Sequence, residues 1–291
     1  MLSDSPKIAV AIVHGVGNAQ PDFLEPLRRR ILRYFSRELR GLTPHPEEEI
    51  VVRSVYWGPV VQGLEDELAR RVVEGRSLDY NDLRGFMLSF AGDAIAYQPT
   101  GGRKETYNNV HAVFAQTLRE LAQEAGETAP LCVVSHSLGT VVSSNYFYDL
   151  QMDPVKDLVP EAVKTEMTDT PLERGETFAL FYTLGSPIAL WSLRYREYGT
   201  PLTFPTPALA AHHPKAKSGW FNVYDKDDII GYPLKTLNTQ YQATVTEDVQ
   251  VNVGRLFSFW NPLSHTHYWE SRRLAKRIAR QLAELWKNTR Q

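Results

Sequence analysis

Ser137 stands between a short apolar run and a helix-like pattern, in Leu131-Cys132-Val133-Val134-Ser135-His136-Ser137-Leu138-Gly139-Thr140. A small residue two before the serine and a glycine two after it suit a tight strand-to-helix turn, which leaves little room for bulk on either side. A serine lifted clear of a strand is a nucleophile when a base can reach it. Without a base the same segment is a structural turn whose serine caps the helix. Two histidines offer a base in Ser264-His265-Thr266-His267-Tyr268-Trp269. Three carboxylates offer an orienting acid in Asp225-Lys226-Asp227-Asp228-Ile229-Ile230-Gly231-Tyr232-Pro233. Taken alone, that acidic loop also reads as a solvated surface or a calcium site, and His265-Thr266-His267 as a pair of metal ligands. No C-x-x-C, H-x-x-x-H or H-E-x-x-H supplies further zinc ligands, so neither a metal nor another cofactor is expected.

A fourth loop, His14-Gly15-Val16-Gly17, follows the first apolar run. Gly15-Val16-Gly17 opens a G-x-G, but Gln20 holds the place of the third glycine. The next run ends at Tyr56-Trp57 with no acid for a ribose, which argues against a dinucleotide site. His14 is expected to order its loop and His136 to pack beside the turn. Cys132 is expected to be a buried, inert thiol. His45 and His111 lie in no motif, and His212-His213 falls in an irregular stretch.

Together these segments resemble the α/β-hydrolases, nearest to lipases and esterases, over nearly the whole chain. Ser135-His136-Ser137-Leu138-Gly139 resembles their nucleophile elbow, usually G-x-S-x-G, with Ser135 replacing the first glycine. Gly185-Ser186-Pro187 is similar to a turn that lipases carry after the strand following the elbow. The resemblance implies a triad in the order serine, acid, histidine. Ser137 is then the nucleophile and Asp228 the acid, with Asp225 as runner-up. His265 is the base, from the similarity of His265-Thr266-His267-Tyr268-Trp269 to the His-x-x-Tyr-Trp of such enzymes, with His267 as the alternative. The backbone N–H groups of Val16 and Leu138 become the oxyanion hole, where losing one donor typically costs roughly 3 kcal/mol of transition-state stabilisation. The implied reaction is hydrolysis of a carboxylic ester through an acyl-enzyme on Ser137. The competing readings are a non-catalytic hydrolase-fold binding protein, and an acyltransferase or thioesterase with the same triad.

Such residues must be held at strand ends, and the pattern supplies the strands. Apolar runs at 7–13, 50–56, 130–135, 177–184 and 219–224 read as strands, with a further one at 244–254. Helical spacing marks 22–40 (Leu24, Leu27, Ile31, Phe35) and 104–125 (Tyr107, Val110, Phe114, Leu121). It also marks 269–288 (Leu274, Ile278, Leu282, Leu285). Between 59 and about 96, Leu64, Leu68 and Val72 form one stripe, and Leu83, Phe86, Met87 and Phe90 a second cluster. A helix starts near Leu138, and 196–218 looks irregular. The alternation predicts an α/β fold, a mainly parallel central sheet with helices on both faces. The hydrolase resemblance adds a trimmed N-terminal edge. One domain spans 1–291, with candidate cap or lid segments at 57–100 and 188–219.

Composition narrows the partners. With 43% hydrophobic and 23% charged residues the chain can build a core. A net charge of −2 gives no field for nucleic acid, and the basic face Arg272, Arg273, Lys276, Arg277 and Arg280 reads as solvated. One cysteine gives no disulfide signature. No run is long enough for a membrane span or a signal peptide. The expectation is a cytoplasmic protein acting on a small-molecule ester or lipid, with its oligomeric state left open.

Overall fold

The computed structural model describes residues 6–15, 24–72, 90–98, 104–253 and 262–290. Three of the apolar runs form strands buried along their whole length: β1 (Ile8–Val13), β3 (Leu131–His136) and β4 (Phe178–Leu184). They sit in the middle of the sheet because both of their faces are covered. β2 (Ile50–Val55) and β6 (Glu247–Val251) expose part of their side chains and form the edges, with β5 (Gly219–Asp225) beside β6. The order is β2-β1-β3-β4-β5-β6, and every neighbouring pair is parallel. This is an α/β fold.

The chain steps from β1 to β2 on one side, then returns to place β3 on the other side of β1. Connections therefore leave β1 and β3 in opposite directions and open a crevice at their carboxyl ends. β1 alternates between the two cores that flank the sheet. Ile8, Val10 and Ile12 join Leu27, Ile31 and Phe35 of α1 (Glu25–Glu38). Leu274, Ile278, Leu282 and Leu285 of the closing helix complete that layer. Ala9, Ala11 and Val13 face α3 (Lys104–Ala125) and α4 (Leu138–Lys156), through Val110, Phe114, Leu118, Leu138 and Val142.

Several elements depart from the sequence pattern. α2 (Pro59–Val72) forms, but Leu68 and Val72 of its apparent stripe are 43% and 44% exposed, while Val61 turns inward. Leu83, Phe86 and Met87 lie outside the described residues, and residues 90–96 are helical. Residues 262–270 form a 3₁₀ run, and only then does the closing helix α5 (Arg272–Thr289) begin, capped by Ser271. Of the stretch assigned to a strand at 244–254, Glu247–Val251 forms β6, Thr244 still closes a helical turn, Thr239–Thr244, and residue 254 lies outside the described residues. Among the described residues no helix is long and apolar enough to cross a membrane.

Candidate active site

Ser137 follows β3 at the crevice, with φ 53° and ψ −132°. Such a conformation is rare for a residue with a Cβ and costs on the order of 1–3 kcal/mol, so its surroundings must enforce it. The Ser137 N–H donates to the Leu184 carbonyl at 2.9 Å. Its own carbonyl accepts from the Thr140 N–H at 2.9 Å and the Thr140 hydroxyl at 2.7 Å. Two glycines make the room. A Cβ at Gly139 would lie 2.2 Å from the His14 carbonyl oxygen, and one at Gly15 2.7 Å from the Ser137 Cβ. Ser135, the departure from the usual elbow, is also accommodated. Ser143 Oγ donates to the Gly139 carbonyl at 2.8 Å, so the Ser135 hydroxyl donates to Ser143 Oγ at 2.7 Å.

The side chains of Ser137, His265 and Asp228 meet in one buried line. His265 Nε2 lies 2.7 Å from Ser137 Oγ, and Nδ1 lies 2.9 and 3.0 Å from the two Asp228 oxygens. Asp228 occupies the tight turn after β5. Its Oδ1 accepts the Ile230 N–H at 2.9 Å and its Oδ2 the Tyr268 hydroxyl at 2.9 Å. Burial pushes this carboxyl up, but the bonds from His265, Ile230 and Tyr268 outweigh it and hold it below the usual carboxylate value. The 3₁₀ run explains why His265 and Tyr268 reach the same acid, since residues three apart eclipse one another. Gly185 and Gly231 close the far side, where a Cβ at either would lie 2.8 Å from Asp228 Oδ2.

The histidine is also held from behind. His136 Nε2 donates to the His265 carbonyl at 2.6 Å, and the two rings are 4.7 Å apart. Burial, with help from His265, drives the His136 pKa down to about 3, so its ring stays neutral with the proton on Nε2. His14 orders its loop through a different set of bonds. Its Nε2 accepts the N–H groups of Trp57 and Gly58, each at 3.1 Å, and the Trp57 indole donates to the His14 carbonyl.

The remaining sequence candidates lie apart. The Asp225 carboxylate accepts the N–H groups of Asp227 and Val253. His267 makes no hydrogen bond to Ser137 or to either aspartate among the described residues. Leu138 opens α4, where its N–H has no intrahelical acceptor. Val16 lies outside the described residues. His212 meets Glu176 and His213 the Thr128 carbonyl, while His111 bonds the Tyr97 hydroxyl. Cys132 is buried, which pushes its thiol up. No cluster of three metal-ligating side chains occurs among the described residues. The positioning roles of Tyr268, His136, Gly185 and Gly231 were not read from the sequence. The signals present were the His-x-x-Tyr spacing for Tyr268, the Gly185-Ser186-Pro187 turn for Gly185 and the place of His136 beside the serine.

Chemically, the line from Ser137 to Asp228 can pass the serine proton to His265 Nε2 and stabilise the resulting imidazolium. Comparison with known proteins finds no matching family model, no matching curated protein and no matching solved structure.

Proposed function

We propose that the chain is a serine hydrolase of the α/β-hydrolase type that cleaves carboxylic esters. The observation that carries this reading is the unbroken hydrogen-bonded line from Ser137 Oγ through His265 to Asp228, starting at a positive-φ serine at the end of a central strand. In the reaction Ser137 Oγ attacks the ester carbonyl carbon as His265 Nε2 takes its proton. The Leu138 N–H, with that of Val16 from the loop after Gly15, receives the oxyanion. Collapse of the tetrahedral adduct breaks the bond to the alcohol oxygen, which takes the proton from His265. Water then attacks the acyl-enzyme, His265 takes a proton from it, and the carboxylic acid leaves as that proton returns to Ser137 Oγ.

The test is labelling with a fluorophosphonate, paired with turnover of p-nitrophenyl esters of increasing chain length. Ser137→Ala is expected to abolish labelling and lower turnover by about a million-fold, the scale seen when such a nucleophile is removed. A chain that takes no label, or a Ser137→Ala variant that keeps near-native turnover, overturns the proposal.

A further inference from the structure

A cavity of about 340 Å³ opens between α4 and residues 188–200. That volume is at the small end of the roughly 300–1,000 Å³ typical of ligand pockets. Five aromatic residues line it: Tyr148, Trp191, Tyr195, Tyr198 and Tyr241. Its polar lining includes the Ser144 hydroxyl, the Asn145 amide and the exposed Arg196, and no acidic side chain lines it. Arg196 forms no ion pair with any described residue. The Arg194 guanidinium lies over the Trp191 and Tyr195 rings, 4.9 and 5.6 Å from their centroids, so the lining combines π-faces, two of them already covered on one side, with a positive charge at Arg196 that has no ion-pair partner among the described residues.

The cavity is tied to Ser137 in two ways. Val141 and Ser144 stand four and seven positions after Ser137, one and two turns into the helix that starts directly after that serine. A relay also joins the opposite wall to the turn. The Ile188 N–H donates to Ser186 Oγ at 3.2 Å, and Thr140 Oγ1 lies 2.8 Å from Ser186 Oγ. The single Thr140 hydroxyl hydrogen goes to the Ser137 carbonyl, so Ser186 donates to Thr140. Behind the cavity, the Tyr97 hydroxyl bonds His111 at 2.7 Å and accepts from Asn145 at 3.4 Å, which holds Asn145 in place. A wall fixed before the ligand arrives loses little freedom on binding.

From these walls we infer that the cavity is a subsite for an aromatic portion of the substrate bearing an anionic oxygen substituent. The ring stacks among the tyrosines and Trp191 while the substituent meets Arg196. This rests on the hydrolase reading only in calling the ligand a substrate; binding in the cavity is separable from turnover.

The experiment uses the full chain carrying Ser137→Ala, titrated with three probes by isothermal calorimetry. These are 1-naphthoate, 1-naphthalenemethanol and octanoate. The expected order is 1-naphthoate tightest, about threefold over the uncharged naphthalene, as a half-solvated ion pair provides. Octanoate should bind about tenfold more weakly than 1-naphthoate, having no ring to stack. Adding Arg196→Gln should remove the charge preference and leave the ring preference. Adding Ser144→Phe, which fills the cavity from a half-buried position, should weaken both naphthalene probes at least about tenfold while the circular dichroism spectrum stays unchanged. Octanoate binding as tightly as 1-naphthoate overturns the inference, and so does 1-naphthoate binding that a folded Ser144→Phe variant leaves untouched. Fluorophosphonate labelling of the unaltered chain reads the hydrolase proposal separately, so failure of one does not mimic failure of the other.

Discussion

Gly185 is where a single methyl group tests the site most directly. It turns the chain after β4 with φ +53°, facing Asp228 and His265 together. A Cβ there would lie 2.8 Å from Asp228 Oδ2, 2.9 Å from the Tyr268 ring and 3.1 Å from His265 Cε1. Ordinary contact begins near 3.4 Å, and none of these three groups is the loose end of a flexible chain. Asp228 must therefore retreat by about 0.5 Å, which stretches its 2.9 Å bond to His265 toward the weak end of the hydrogen-bond range. A misplacement of about 1 Å in a reacting constellation can cost roughly a hundredfold, so half of that predicts a loss of about tenfold. Gly185→Ala is expected to lower kcat by about ten- to a hundredfold with KM unchanged, because substrate binding is not touched. Its stability should fall by about 2–3 kcal/mol, from the left-handed backbone and the crowding together. Steady-state kinetics on a p-nitrophenyl ester, beside urea unfolding, reads both quantities. A variant that loses the stability but keeps kcat within about twofold of the parent would refute the reasoning, since the acid would then have moved without consequence.

Other perturbations follow from the same geometry. Asp228→Asn keeps the shape but cannot stabilise the imidazolium, so kcat should drop by about ten-thousandfold in the same assay. Tyr268→Phe takes one donor from Asp228 and leaves the Asp225 N–H without its acceptor, for a loss of about 1–3 kcal/mol in urea unfolding at pH 7. Because the folded Asp228 carboxyl is depressed, its share of that loss is present above the ordinary value of 3.8 and disappears as pH falls through the folded value. The gap between parent and variant should therefore narrow in acid. Asp149 behaves in the opposite sense, since burial raises its carboxyl from 3.8 to about 6 despite the Tyr107 bond. The cost of ionising it is absent below 3.8, grows up to about 6 and is complete above that. Asp149→Asn should therefore stabilise the fold by on the order of 2 kcal/mol at pH 8 and by little at pH 4, read from melting curves at both pH values.

Much of this architecture was legible because it rests on local rules. The runs around Ile8–Val13 and Leu131–His136 lack alternation, which reports burial on both faces, and both strands are central. The apolar spacing of 104–125 matches α3, because that helix presents one stripe to one sheet face. Periodicity failed at Leu68 and Val72, where a stripe exists but points to solvent. A hydrophobic period names a face of a helix without naming what covers it. The residues that meet at the site, Asp228 ahead of Asp225 among them, were selected by motif, while the contact that joins Asp228 to His265 spans 37 positions and leaves no local pattern. Tyr268 entered through the His-x-x-Tyr spacing, but its bond to Asp228 did not, because nothing local marks the 3₁₀ turn that brings it to the same acid as His265. The relay from Ser186 through Thr140 joins two turns 46 positions apart and leaves no pattern in either.

The separation of the site along the chain has a consequence for biosynthesis. Ser137 and His265 are 128 positions apart, and His265 stands just before α5, which packs on α1, with Arg30 donating to the Trp269 carbonyl and Arg280 paired with Glu38. A newborn polypeptide leaving the ribosome thus carries Ser137 without its imidazole partner until the segment around His265 has emerged and docked. On the proposed reading, reactivity is withheld from any form in which that segment has not yet docked beside Ser137.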